Sequence, residues 1–205
     1  MTTSYLTIAR TGTAEIEVKR SRFRCHLERI DDETAARAVV ERIRKQHWDA
    51  RHHCSAFVLG PDAAVQRSSD DGEPSGTAGA PMLEVLRGRG VSDVVAVVAR
   101  WFGGTLLGAG GLVRAYGDAV RAGLDIAGVR ARRLTQRYDV PVAHGDAGRL
   151  ESELRARGVQ VLGVDYAEQA LLHMAVVDDG FVDLLAELTG GAARARHTGQ
   201  VWVDA

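Results

Sequence analysis

Six consecutive apolar residues, Val94 to Ala99, constrain the fold more than any other segment. The run is far too short for a membrane span. Its length, its valines and the turn residues around it predict a central strand. It continues through Arg100-Trp101-Phe102 into Gly103-Gly104-Thr105-Leu106-Leu107-Gly108-Ala109-Gly110-Gly111, and then into a helical pattern over Gly110–Ala127. A second loop, Ser69-Asp70-Asp71-Gly72-Glu73-Pro74-Ser75-Gly76, runs into another helical pattern, Thr77–Arg87, which tolerates Pro81 only near its start. Glycine costs backbone entropy wherever it sits. Loops this dense imply either tight turns with close packing or room for a ligand at the helix N-termini.

The rest of the chain fits around these two loops. Thr3–Ala9, Ala14–Lys19 and Phe23–Ile30 read as strands, and Asp32 is a fair N-cap for a helix carrying Ala36, Val39, Val40 and Ile43 on one face. His53–Gly60 is a strand ending at a Gly60-Pro61-Asp62 turn, and Val65 begins a short returning strand. These elements predict an α+β sandwich with its helices on one face. Arg130–Arg133 reads as a basic, unpatterned link. Beyond it come a strand (135–142), a helix (146–157), two strands (159–167 and 169–177), a helix closed by Gly190-Gly191 and a last strand (195–203). The order β-α-β-β-α-β is that of a ferredoxin-like unit. The expected domains are 1–134 and 135–205.

The balance of 45% apolar and 26% charged residues is that of a globular chain, not a disordered one. Met1-Thr2-Thr3-Ser4-Tyr5 shows no signal-peptide pattern, and Cys25 and Cys54 are the only cysteines, which suggests reduced thiols in the cytoplasm and no membrane partner. The net charge of −1 hides a split. Residues 1–134 carry 20 Lys and Arg against 16 Asp and Glu, whereas residues 135–205 carry 6 against 11. The first part suits a phosphate-bearing ligand; the acidic second part argues against a chain coated all over with RNA.

Four blocks give the chain a resemblance: Lys19-Arg20-Ser21-Arg22-Phe23, Asp49-Ala50-Arg51-His52-His53-Cys54, Asp70–Gly79 and Arg100–Tyr116. Together, and in this order, they resemble the YigZ/IMPACT family, and the position of the second domain is similar to the bacterial YigZ type. The resemblance implies a ribosomal-protein-like first domain, a left-handed βαβ sandwich shared with small-molecule kinases of the galactokinase class, followed by the ferredoxin-like domain. It also implies a link to translation, because eukaryotic members regulate translation by blocking activation of a stress kinase. In the family pattern the position matching His52 is the shared histidine.

The candidate ligand site is a cleft lined by His52, Asp70, Asp71, Glu73, Arg100 and the glycines Gly103, Gly104, Gly108, Gly110 and Gly111, with Thr77 beside the acidic loop. Arg22 and Arg114 add positive charge at its rim. One reading of the glycine loop is an anion cradle at a helix N-terminus; the other is a tight strand-to-helix turn. Asp70, Asp71 and Glu73 offer carboxylates for Mg²⁺, but Asp-Asp-Gly is also turn chemistry. Zinc at His52, His53 and Cys54 lacks the spaced ligand pairs of a structural site, and neighbouring residues on a strand face opposite ways. Arg20, Arg22 and Arg24 alternate along a strand edge, as a stripe for phosphates or as a solvated face, and Trp48, Trp101 and Phe102 fit core or lip positions. The expected function is a non-catalytic regulatory protein linked to translation, with RNA, a ribosome or a translation-related protein as partner and no metal or cofactor. The alternative is a Mg-dependent enzyme acting on a phosphorylated small molecule or nucleotide.

Overall fold

The computed structural model describes residues 2–177 and 180–205; Met1, Asp178 and Asp179 lie outside the described residues. The chain divides into two compact units, Met1–Arg132 and Arg133–Ala205. No described helix is long and apolar enough to cross a membrane.

The first unit contains β1 (Ser4–Ile8), β2 (Gly12–Val18), β3 (Ser21–Arg29), α1 (Glu33–Gln46), β4 (His52–Leu59), β5 (Val65–Ser69), α2 (Gly79–Gly88), β6 (Val94–Trp101) and α3 (Ala109–Ala127). The main sheet has the order β2-β3-β6-β4-β5, and each of its pairings is antiparallel. The apolar run Val94–Ala99 is its central strand and is buried on both faces. Successive side chains of β6 point to opposite faces. Val94, Ala96 and Val98 join Phe23, Cys25 and Leu27 beneath α2 and α3. Val95 and Val97 join Phe57 and Leu59 beneath α1, through Ala36, Val39 and Ile43. The helices therefore cover both faces, which corrects the one-face sandwich expected from the sequence. A periodic pattern shows which face of a helix is buried, but not on which side of the sheet the chain crosses.

Local chemistry sets several boundaries. Asp32 caps α1 by accepting the Ala35 N–H at 2.7 Å. Thr77 stays outside α2 because its hydroxyl and its N–H both bind the Pro74 carbonyl. Lys19 and Arg20 form the two-residue turn between β2 and β3 with φ of 47° and 66°. Positive φ at both central positions is the type I′ pattern that matches strand twist.

The second unit contains β7 (Val129–Val142), which begins in the first, then α4 (His144–Ala156), β8 (Gln160–Tyr166), β9 (Ala170–Val176), α5 (Phe181–Thr189) and β10 (Arg196–Asp204). Arg130–Arg133 lie inside β7, not in an unpatterned link; ladder pairing overrides their weak local pattern. The strand order is β10-β7-β9-β8. Val140, Leu172 and Met174 face Leu150, Leu154 and Leu185 of α4 and α5. Gly190, at φ 60°, closes α5 in the left-handed conformation.

His173 alternates with Leu172 and Met174, so its side chain points away from that core. It bridges Asp139 at Nδ1 (2.7 Å) and Asp165 at Nε2 (3.0 Å). These carboxylates raise its pKa above the ordinary histidine value, Asp139 most strongly. A raised folded-state pKa contributes stability that is complete below the unfolded value of about 6.5 and is lost as pH rises through the folded value. Urea unfolding should therefore show a stability loss from pH 6 to pH 9 that shrinks in His173→Gln. An unchanged pH profile in the variant would contradict this.

Candidate functional site

The acidic loop closes over one end of the first sheet, and its three carboxylates go three separate ways. Asp70 accepts the N–H groups of Gly76 (2.8 Å), Ala78 (3.0 Å) and Gly79 (2.8 Å), and so ties the loop to the start of α2. Burial alone would raise the Asp70 carboxyl, but these three amides outweigh it and hold the pKa below the usual carboxylate range. Asp71 accepts the His53 N–H at 2.6 Å and pairs with Arg44 of α1 at 2.9 Å. Glu73 turns inward. Its side chain pairs with Arg100 of β6 and accepts the Tyr116 hydroxyl of α3 at 2.8 Å. Glu73 and Arg100 are 8% and 6% exposed, which makes this a buried ion pair.

The register explains the meeting. Phe23, Arg100 and His52 lie directly opposite one another on β3, β6 and β4, so they share the face beneath α2 and α3. The Arg100 guanidinium lies 5.3 Å from the Phe23 ring and 5.9 Å from that of Phe102. Its Nε is buried with no hydrogen-bond partner among the described residues. His52 places Nδ1 2.8 Å from the Asp71 carbonyl, which fixes the proton on that nitrogen. Its Nε2 then faces Glu73 at 4.0 Å. The single Cys54 S–H lies within reach of two acceptors, the Asp70 carbonyl (3.0 Å) and the Tyr116 hydroxyl oxygen (3.3 Å). Burial pushes the Cys54 thiol up to about 12 and raises the Tyr116 hydroxyl as well. A thiol held protonated in this way is not a nucleophile.

The structure thus brings His52, Asp70, Asp71, Glu73, Thr77 and Arg100 together. It does not converge their carboxylates on one point, and among the described residues no group of three or more ligands is placed to hold a metal. Tyr116 belongs to the cluster and escaped the sequence reading. The available signal was a hydroxyl on the apolar face of α3, in step with Leu112 and Ala119, where a buried O–H needs a partner. Arg22 lies elsewhere. It opposes Trp101 on the α1 face, 4.7 Å from that ring and 3.9 Å from Glu15. Arg24 shares this layer, but Arg20 sits in the turn, and β3 is an interior strand, so there is no edge stripe of three arginines. Trp48, expected at a core or lip position, is 82% exposed.

The glycine loop divides by role. A Cβ on Gly103 would collide with the Arg20 and Ser21 backbone, and its N–H donates to Ser21 Oγ at 3.1 Å. Arg20 reaches across to the Thr105 hydroxyl at 3.3 Å. The Lys19-Arg20 turn is thereby clasped onto the loop. Gly104, Gly108 and Gly110 instead face open space. Gly108 is the N-cap of α3 and offers no side chain to its free N–H groups, and the first turn carries no acid. Phe102 (44%) and Leu106 (83%) are exposed beside it. Lys19, Arg51 and Arg114 have no ion-pair partner among the described residues, and the Arg51 N–H binds the Arg100 carbonyl at 2.9 Å.

Two stability tests follow. Glu73→Gln strands the buried Arg100 charge and should cost about 3–5 kcal/mol in urea unfolding, against about 1 kcal/mol for Tyr116→Phe. Comparable losses would show that the ion pair is not the dominant contact. Gly103→Ala should abolish folding or lower Tm steeply, whereas Gly104→Ala, strained at φ 84° but unobstructed, should cost about 1 kcal/mol.

Comparison with known proteins adds a further layer. Residues 19–124 match the Impact N-terminal domain family. The chain is 44% identical over 191 residues to the IMPACT family member YvyE of Bacillus subtilis, covering 92% of this chain and 88% of that one. It is 42% identical over 175 residues to the IMPACT family member YigZ of Escherichia coli, covering 84% and 86%. A crystal structure of a hypothetical protein aligns with a TM-score of 0.67 at 38% identity, covering 95% of this chain and 97% of that one. A family domain spanning the clasp, the acidic loop and the glycine loop, together with relatives matched over most of their length, makes this chain a member of the IMPACT family.

Proposed function

We propose that the chain is a regulatory binding protein linked to translation, acting in the cytoplasm and taking RNA at the glycine-loop end of its first unit. The observation that carries this reading is the clasp. It sets Lys19 and Arg20 beside a loop that presents the uncapped N-terminus of α3 and the exposed Phe102. Unpaired cations, free backbone N–H groups and an exposed ring are the elements that hold a sugar–phosphate chain and stack a base. Family membership supports the link to translation through the eukaryotic branch. It also supports a ribosomal-protein-like first domain over 1–134. The order β10-β7-β9-β8 supports a ferredoxin-like second domain over 135–205. The groups offered to the ligand are Lys19, Arg20, Phe102, Gly104, Gly108, Gly110 and Arg114, with His52, Asp70, Asp71, Glu73, Thr77, Arg100 and Gly103 holding them in shape.

The test is fluorescence anisotropy with a short single-stranded RNA over a range of salt concentrations. Affinity should fall with log salt at a slope of about −0.7 per phosphate contacted. Arg20→Ser and Arg114→Ser should each flatten that slope by about one contact. Absence of binding at low salt, or binding indifferent to salt, would overturn the reading.

A further inference from the structure

The first unit carries a second surface of a different kind, on the outside of its helical layer. Between α2 and α3 lies an open groove of about 610 Å³. Its floor is apolar and shallow, formed by Ala80, Pro81, Val85, Val113 and Gly117. Its rim carries the guanidinium groups of Arg89, Arg114 and Arg121, against one lining carboxylate, Glu84.

We propose that this groove docks an acidic amphipathic helix of a partner protein. The 10-residue α2 makes the groove about 15 Å long, enough for apolar anchors at i, i+3 or i+4, and i+7 of a bound helix. The helix form is set by the floor, which is a shallow furrow between two helices and offers no sheet edge for an extended strand. The acidic character is set by the rim. Arg114 has no ion-pair partner among the described residues. Arg121 holds Asp118 at 2.8 Å, and Arg89 holds Asp125, both at the exposed surface. Such exposed pairs contribute little, so a docking carboxylate exchanges with them at small cost. Val113, on the floor, is 39% exposed, an apolar side chain left to water until something covers it.

Gly117 makes the groove testable. A Cβ there would stand 3.6 Å from Val85 Cγ2 and 3.2 Å from an Arg121 nitrogen, so a larger side chain fills the groove from its floor. Gly117 and Arg121 lie about two and three helical turns from Gly110, which separates this test from the one for RNA.

The probe is a fluorescein-labelled synthetic peptide with leucines at helical spacing and glutamates elsewhere; its twin carries lysine in place of glutamate. With the full chain, the acidic peptide should bind and the basic one should not. Gly117→Leu should weaken binding at least about tenfold by blocking anchors, and Arg89→Glu/Arg121→Glu should do so by reversing charge, with RNA binding unchanged in both. The double charge variant keeps the groove's shape, so it decides the matter if Gly117→Leu fails to fold. Equal binding of both peptides, no binding of either, or undiminished binding to the charge variant would overturn the proposal. Concentration-dependent self-association lost in Gly117→Leu would also overturn it, by assigning the groove to a second copy of the chain.

Discussion

The Glu73–Arg100 ion pair is the contact on which the first unit depends. Two charges removed from water are tolerated only when they meet with good geometry and further hydrogen bonds. Here the guanidinium is fixed by β6, flanked by two phenylalanine rings, and the carboxylate is delivered by a loop 27 residues earlier. Since Glu73 must reach Arg100, the loop has to fold across the end of the sheet. Once there, Asp70 meets the start of α2 and Asp71 meets β4 and α1. Tyr116 adds α3 to the same carboxylate. One buried pair therefore sets the relative placement of three helices and two strands.

The inward turn of the acidic loop also shapes the outer surface. A segment with three carboxylates in four residues would ordinarily repel phosphates. These three are occupied by arginines and backbone amides, so the neighbouring surface is left to Lys19, Arg20, Arg51 and Arg114. Stability and recognition are thus handled by different residues at the same end of the unit, and the α2–α3 groove, with its apolar floor, shares Arg114 with the recognition surface and runs on from it along α3 to Arg121.

Much of the fold was legible in the sequence because its determinants are local. Asp32 signals its helix by side-chain capping alone, and the run Val94–Ala99 announces a central strand by length and composition. The α5 stop at Gly190 follows from a left-handed cap. What stayed hidden depends on distant partners. That α1 crosses to the other face of the sheet from α2 and α3 is not encoded in its periodicity. The sequence shows Asp70, Asp71 and Glu73 as neighbours, and only the tertiary fold shows that they serve three different elements. Metal binding and loop stapling call for the same carboxylates at the same spacing, so the two cannot be separated without the partners. Arg22 was misplaced for a related reason: alternation along β3 sets two sides, but does not say which side faces the glycine loop.

The turn between β2 and β3 carries a last consequence. Its two positions demand positive φ, where asparagine and glycine sit with least strain, yet they hold lysine and arginine, with φ of 47° and 66°. Asn-Gly would make a more stable hairpin. The chain gives up that stability and gains two long cations on a hairpin knuckle instead of a flexible tail, with Arg20 already held by the Thr105 hydroxyl before any ligand arrives. Ordering a charged side chain on binding has an entropic cost, and a pre-shaped knuckle has already met much of it during folding. Strain in this hairpin is therefore a form of preorganisation, stored in the backbone and spent at the surface.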